Sequence, residues 1–176
     1  MTDYTGSNTP KEERDRWQTP PEIFSYFNNI YNFKIDIAAN RENTFCKQFY
    51  SENNSALEQD WDAQPGDYIW CNPPYSNIGP WVKAISQQNK RGIGAVMLIP
   101  AAQSVGWFKE AIKTASLNVI IIGGRLAFLS AATGKPVPGN NKGSQILIWH
   151  PFNSAPITTK YIERDFILNT GSRLIN

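Results

Sequence analysis

Between Asp67 and Ile99 the chain reads DYIWCNPPYSNIGPWVKAISQQNKRGIGAVMLI. Asp67–Cys71 and Ile93–Ile99 are short, unbroken apolar runs, the pattern of strands buried on both faces. Pro80–Gln88 lies between them and puts Trp81, Ala84, Ile85 and Gln88 on one helical face. A second such face, Phe108, Ala111, Ile112 and Ala115, runs through Ser104–Thr114 and leads into another apolar run, Leu117–Ile122. Upstream, Phe33–Ala39 is a further apolar run. Strands alternating with helices predict an α/β fold, a mostly parallel sheet with helices on both faces. Ser144–Trp149 is the last apolar run, and Gly- and Pro-rich residues 129–143 before it show no helical period. The final two strands are therefore expected as an antiparallel hairpin at the end of the sheet. Residues 40–62 offer only a short strand at Lys47–Ser51.

Before the first strand, Thr19-Pro20-Pro21-Glu22 reads as a helix start, with Thr19 as N-cap, Pro20 as first helical residue and Glu22 as capping-box partner. The helix would bury Ile23, Phe24, Phe27, Ile30 and Tyr31. The 176 residues suit one domain, expected over 17–176, with residues 1–16 as a flexible polar arm. With 41% hydrophobic and 18% charged residues this is not a disordered composition. A net charge of +2 excludes a histone-like basic protein and an acidic DNA mimic. No apolar run approaches the ~18 residues of a membrane span, and the polar N-terminus lacks a signal-peptide core. No membrane partner is expected. Cys46 and Cys71 are too few for a disulfide scaffold or a structural zinc site, so a reducing cytoplasm is the expected location. His150 is the one histidine, and it closes an apolar run. It reads as a strand-end residue, which leaves a chemistry without imidazole, zinc or other metal.

The tetrapeptide Asn72-Pro73-Pro74-Tyr75, directly after a buried strand, is the most specific feature. An ordinary Pro-Pro turn ending a strand is the bland alternative. The functional reading is chemical. Two prolines fix the backbone and remove its N–H groups. The Asn72 side-chain oxygen and the Pro73 carbonyl are both acceptors and can converge on one amine. Tyr75 adds a flat face for stacking a heterocycle. A strand's carboxyl end is also where open α/β sheets bind ligands. Asp36, Ala38 and Ala39 mark a second such end, where small residues admit a ligand and a carboxylate can accept an amine or a hydroxyl. Asp36 reads equally as a loop-capping residue, and Thr19 as a cap without a ligand. No G-x-G-x-x-G and no Walker A loop is present, which argues against NAD and ATP.

Together, Thr19-Pro20-Pro21-Glu22, Asp36-Ile37-Ala38-Ala39 and Asn72-Pro73-Pro74-Tyr75 resemble the S-adenosylmethionine-dependent DNA adenine-N6 methyltransferases, and most nearly the bacteriophage-type Dam enzymes. Trp17, Asn43, Cys46, Leu57, Trp61, Trp70-Cys71, Ser76, Trp81, Leu98-Ile99-Pro100, Trp107-Phe108 and Gly124–Phe128 agree with that family over about residues 17–150. The resemblance implies a Rossmann-like methyltransferase fold with Asn72, Pro73, Pro74 and Tyr75 as the catalytic motif. It implies S-adenosylmethionine held by Trp17, Thr19, Pro20, Asp36, Ala38, Ala39, Ser55, Asp60 and Asn72. The family often has an acid where this chain has Ser55; Asp60, Asp62 or Glu52 would substitute, or Ser55 itself would suffice. The partner would be double-stranded DNA, with a flipped adenine as substrate and GATC as the site the family suggests. A phage or prophage protein would work in the cytoplasm of a bacterial host. With no separate recognition domain, DNA contact would fall to a loop at about 125–145 through Arg125, Lys135, Asn140, Lys142 and Ser144, which otherwise reads as a solvated hairpin loop.

Two competing readings stay open at the level of sequence. Asn-Pro-Pro-Tyr also serves methyltransferases acting on RNA or on a protein glutamine amide, which usually add a glycine-rich cofactor turn and a substrate domain. A non-catalytic DNA-binding module on the same scaffold is the other, although an inactive copy has no need of the intact tetrad.

Overall fold

The structure, a computed structural model, describes residues 10–137 and 140–175. Residues 1–9 of the expected arm, 138–139 of the expected recognition loop and 176 lie outside them. In chain order the elements are α1 (Lys11–Arg14), α2 (Pro21–Tyr31), β1 (Phe33–Asp36), β2 (Gln48–Phe49), β3 (Tyr68–Cys71), α3 (Gly79–Asn89), β4 (Gly94–Pro100), α4 (Gly106–Ala111), β5 (Leu117–Ile122), β6 (Ser144–Trp149), β7 (Thr158–Glu163) and α5 (Arg164–Ile175).

Helix α2 corrects the capping reading. A residue before proline is forced out of the helical region, and Pro20 accordingly sits at φ −56°, ψ 132° ahead of Pro21. Pro20 is therefore the N-cap, Pro21 the first helical residue, and no side chain caps the helix. Thr19 is buried one step further out, at 4% exposure. At the far end Asn32 turns into the left-handed region, and the Asn28 side chain accepts the Phe33 N–H at 2.8 Å, which redirects the chain into β1. Ile23, Phe24 and Phe27 are buried as expected, whereas Ile30 is 53% exposed.

The strands form one sheet in the order β2-β1-β3-β4-β6-β5-β7. β2, β1, β3 and β4 pair in parallel, β6 runs antiparallel between β4 and β5, and β7 is parallel to β5. The mixed, mostly parallel α/β sheet of the Rossmann-like class is thus present. The antiparallel strand lies inside the sheet rather than at its end, where β7 forms the edge. Residues alternate between two cores. Val96, Leu98, Ile146 and Ile148 meet Ile23, Phe24 and Phe27 of α2 and Ile167 of α5. Ala95, Met97, Ile99 and Leu147 meet Val82 and Ile85 of α3 and Ala111 of α4. Each fully buried aliphatic side chain stabilises the fold by roughly 1.5–3 kcal/mol. α5 lies so close on α2 that a Cβ at Gly171 would come within 2.0 Å of the Glu22 carbonyl oxygen.

From β1 the chain goes to β2 on one side and later to β3 on the other. This reversal opens a crevice beyond the carboxyl ends of β1 and β3. Asp36 ends β1 and Asn72 directly follows β3, so topology alone brings the two motifs to one edge. Among the described residues no helix is long and apolar enough to cross a membrane.

Candidate active site

β3 ends in buried Cys71, and Asn72 emerges from it half-buried at the rim of the crevice. Its Nδ2 donates to the Trp17 carbonyl at 3.2 Å. A carbonyl can only accept, so the nitrogen is fixed on that side and Oδ1 is left for another donor. At the other end of the tetrad, Asp15 accepts the Ser76 N–H at 2.9 Å and the Ser76 hydroxyl at 2.5 Å. The described part of the expected arm, residues 10–16, therefore carries α1 and is tied to the Asn72–Ser76 loop. Gln18 in turn exchanges backbone bonds with Leu129 at 2.9 and 3.0 Å, and Leu129 bridges to Pro136. Three distant segments thus meet around one tetrapeptide.

Beside it lies a pocket lined by Trp17, Tyr75 and Phe128 together with Lys11, Arg14 and residues 140–144, of which Lys11 and Lys142 are exposed. Trp17 stacks on Phe128 at 5.7 Å and 19°, and Tyr75 meets Phe128 edge-on at 5.9 Å and 89°. The Tyr75 hydroxyl is buried with no hydrogen-bond partner. Burial, with the nearby Cys71 thiol, holds its ionisation well above the ordinary tyrosine range. The hydroxyl therefore stays un-ionised at neutral pH.

Across the crevice Asp36 is 4% exposed, and its Oδ1 accepts the Ala38 N–H at 3.2 Å. Burial pushes its carboxyl up to about 7, against the opposing pull of the Ala38 N–H. A carboxylate desolvated to this degree, with one donor and small Ala38 and Ala39 beside it, fits a ligand that brings its own N–H or O–H groups. Ser55 lies in the loop after β2, whose last residue Phe49 is in register with Asp36, and its Oγ accepts the Leu57 N–H at 3.2 Å.

The structure does not bring Asp60 to this edge. Its Oδ1 accepts from Gln88 Nε2 at 2.8 Å and pairs with Arg91 at 3.4 Å, where α3 ends and the chain turns into the start of β4. That is the opposite edge of the sheet, and the carboxylate is already engaged. Asp62 accepts from Gln48 on β2 at 3.2 Å. Among the expected DNA contacts, Lys142 and Ser144 border the aromatic pocket, Lys142 exposed and Ser144 buried. Asn140 also borders it, but its Nδ2 donates to the Leu126 carbonyl at 3.0 Å and its Oδ1 accepts the Lys142 N–H at 3.2 Å. Its amide thus shapes the loop. Arg125 is exposed and donates to the Asn140 carbonyl at 3.4 Å, and Lys135 is exposed in the turn at 130–135. Sequence reasoning missed Asp15, which binds the Asn72–Ser76 loop from 61 residues away, and the two α1 cations that line the pocket. The mixed charge of residues 11–16 was the only signal, and it resembles any solvated arm.

His150 closes β6 at the far edge, beside the starts of β3 and β4. Its Nδ1 is 2.8 Å from the Tyr68 hydroxyl, and burial together with Lys160 lowers its pKa. No group of three or more metal-ligating side chains occurs among the described residues.

Known proteins resemble this chain over most of its length. The family model for DNA N-6-adenine-methyltransferase (Dam) matches residues 6–174. The DNA N-6-adenine-methyltransferase of Escherichia phage T1 is 37% identical over 175 residues, covering 90% of this chain and 73% of the phage protein. That of Haemophilus phage HP1 (strain HP1c1) is 36% identical over 150 residues, covering 84% of this chain and 85% of the relative. With the tetrad in place at the end of β3 and the match spanning nearly the whole chain, this protein belongs to the DNA N-6-adenine-methyltransferase (Dam) family and is an adenine-N6 DNA methyltransferase.

Proposed function

We propose that the crevice at the ends of β1 and β3 binds S-adenosylmethionine and that the aromatic pocket beside it receives an adenine flipped from duplex DNA. When bound, the cofactor supplies an electrophilic methyl group. Asp36 accepts hydrogen bonds from the cofactor's amine or hydroxyl groups. Ala38 and Ala39 leave room for it, and Thr19, Pro20 and Ser55 line its approach. Asn72 Oδ1 and the Pro73 carbonyl accept from the adenine N6 amine and hold it in place, while Pro74 keeps the turn rigid. Tyr75 stacks on the base. An adenine N6 inside the duplex is out of reach, so extrusion of the base is required. The rate gain comes from holding reacting groups in position, and the one histidine, His150, follows β6 beside the start of β4. Trp17 braces Asn72 through its carbonyl and walls the base pocket, a role that differs from direct cofactor contact.

DNA is read by the surface around the pocket mouth. Lys142 is its best-placed member, with Arg125 and Lys135 on the exposed flank. GATC is the recognition site we assign, on family resemblance, and the cytoplasm of a bacterial host is the place of action. The observation that carries this reading is the Asn72 amide, fixed by Trp17 with its oxygen free at the rim of the crevice. The test offers the purified chain unmethylated DNA, RNA and a glutamine-containing translation factor together with methyl-labelled S-adenosylmethionine. Label confined to adenine N6 of DNA, at GATC by modification-sensitive sequencing, is the expected result. Label on RNA or protein alone would overturn it.

A further inference from the structure

The mouth of the aromatic pocket carries more positive charge than the fold uses. Lys11 and Arg14 of α1 line the pocket together with Lys142, and both lysines are exposed. The ion pairs among the described residues are Arg91–Asp60, Lys113–Glu110 and Arg164–Asp165, so none of these three cations has a carboxylate partner there. Asp15, the one acid at the mouth, is committed to Ser76 through both carboxylate oxygens. Glu12 and Glu13 of α1 are exposed and do not line the pocket. Arg14 is half-buried, and its Nε is shut off from water with no acceptor at all. That nitrogen is closed to any ligand from solvent, so only the terminal nitrogens of the guanidinium can meet one. Among the described residues no ion pair engages these terminal nitrogens, and a guanidinium end of this kind suits a tetrahedral oxyanion.

We infer that α1 and the segment 140–144 form the two sides of a phosphate site, in which Arg14, with Lys11 and Lys142, holds a backbone phosphodiester of the target DNA strand at the entrance of the base pocket. The inference rests on the reading of this pocket as the flipped-base site. A nucleotide is a flat base joined through its sugar to a phosphate. The site repeats that layout, aromatic walls inside and cations at the rim. Because Asp15 follows Arg14 directly and binds Ser76, a phosphate on Arg14 also fixes the helical turn against the catalytic loop.

The experiment measures affinity of the full chain for an unmethylated duplex over a range of salt concentrations, with cofactor binding as the control for folding. Each phosphate contact contributes roughly 0.9 to the slope of log affinity against log salt. Arg14→Ala and Lys11→Ala should each flatten the slope by about one and weaken binding, and Arg14→Lys should keep the slope. Phosphates carry no sequence information, so the set of methylated sites should not change. An unchanged slope in Arg14→Ala with cofactor binding intact would overturn the site. So would a changed set of methylated sequences, which would make Arg14 a reader of base edges. If the wild-type chain methylates DNA while Arg14→Ala behaves like it at every salt, only the phosphate site fails. If the wild type methylates no DNA, the underlying reading fails first.

Discussion

Asn72 and Trp17, 55 residues apart in sequence, are joined by the bond from the Asn72 amide nitrogen to the Trp17 carbonyl at 3.2 Å. The bond makes the Asn72 side chain directional. Asn72→Ala should reduce turnover by about 10²–10³, the usual loss for one positioned polar group, with little change in melting temperature. Asn72→Asp keeps an oxygen for the adenine amine but sets a second oxygen against the Trp17 carbonyl, so its turnover should fall between the two. Single-turnover rates on unmethylated DNA check the order, and equal rates for wild type and alanine would remove Asn72 from the chemistry.

Tyr75 gives an independent test of the aromatic pocket. Its hydroxyl is buried without a partner, so Tyr75→Phe removes an unsatisfied group and should leave turnover unchanged and raise stability slightly. Tyr75→Ala removes the stacking surface and should weaken base binding by about 1–3 kcal/mol, read as a higher KM for DNA. Should phenylalanine fail as alanine does, the hydroxyl has a role and the stacking account is wrong.

Asp36 sets a pH dependence that an ordinary aspartate near 4 would not. With its carboxyl raised from 3.8 to about 7, the folded protein holds a proton that the unfolded chain releases between those values. Stability of the free protein should therefore be highest below pH ~4 as far as this group is concerned. It should decline as pH rises to about 7 and level off above. Cofactor affinity should run the other way, rising up to about pH 7 as the carboxylate forms, then reaching a plateau. Calorimetric titration of wild type and Asp36→Asn from pH 5.5 to 8.5 checks both, since the amide should abolish the slopes. His150→Ala, at the opposite edge of the sheet, should leave the pH dependence of cofactor binding in place.

Gly171 tests the close packing of α5 on the start of α2. Gly171→Ala drives a methyl into the Glu22 carbonyl at the start of α2 and should destabilise by about 1–3 kcal/mol. Gly106→Ala meets nothing within 4 Å and should be neutral. Thermal melts of the two variants separate close helix contact from a general intolerance of added volume.

The elements legible in sequence were those with a strong apolar period. α2, α3, α4 and strands β1 and β3 to β6 lie where their hydrophobic patterns put them, with ends moved by a few residues. β7 and α5 escaped for a physical reason. β7 is an edge strand, Thr-Thr-Lys-Tyr-Ile-Glu, exposed along nearly its whole length. α5 buries little beyond Ile167 and Gly171, and its Asn169-Thr170-Gly171 centre is poor helix-forming sequence. Chain order also hides neighbourhood: nothing in Ser144–Trp149 says that it inserts between β4 and β5. At the site, Asn72 to Tyr75 and Asp36 announced themselves by residue type and strand-end position. The Asp15–Ser76 contact did not, because its two ends share no local pattern. The shifted ionisation of Asp36 comes from burial that only the assembled sheet creates.

The position of β6 fixes an order of events while the chain is being made. β4 ends at Pro100, and the strand that covers its outer edge begins at Ser144. At synthesis rates of about 5–20 residues per second, the run Gly94–Pro100, every residue buried but the last in the finished fold, waits several seconds with one side open. An unpaired apolar strand edge is a template for pairing with another chain. That interval on the ribosome leaves the edge of β4 open to pairing with another chain. Changes that delay docking of Ser144–Trp149 will therefore reduce the yield of soluble protein while the molecules that do fold keep full activity.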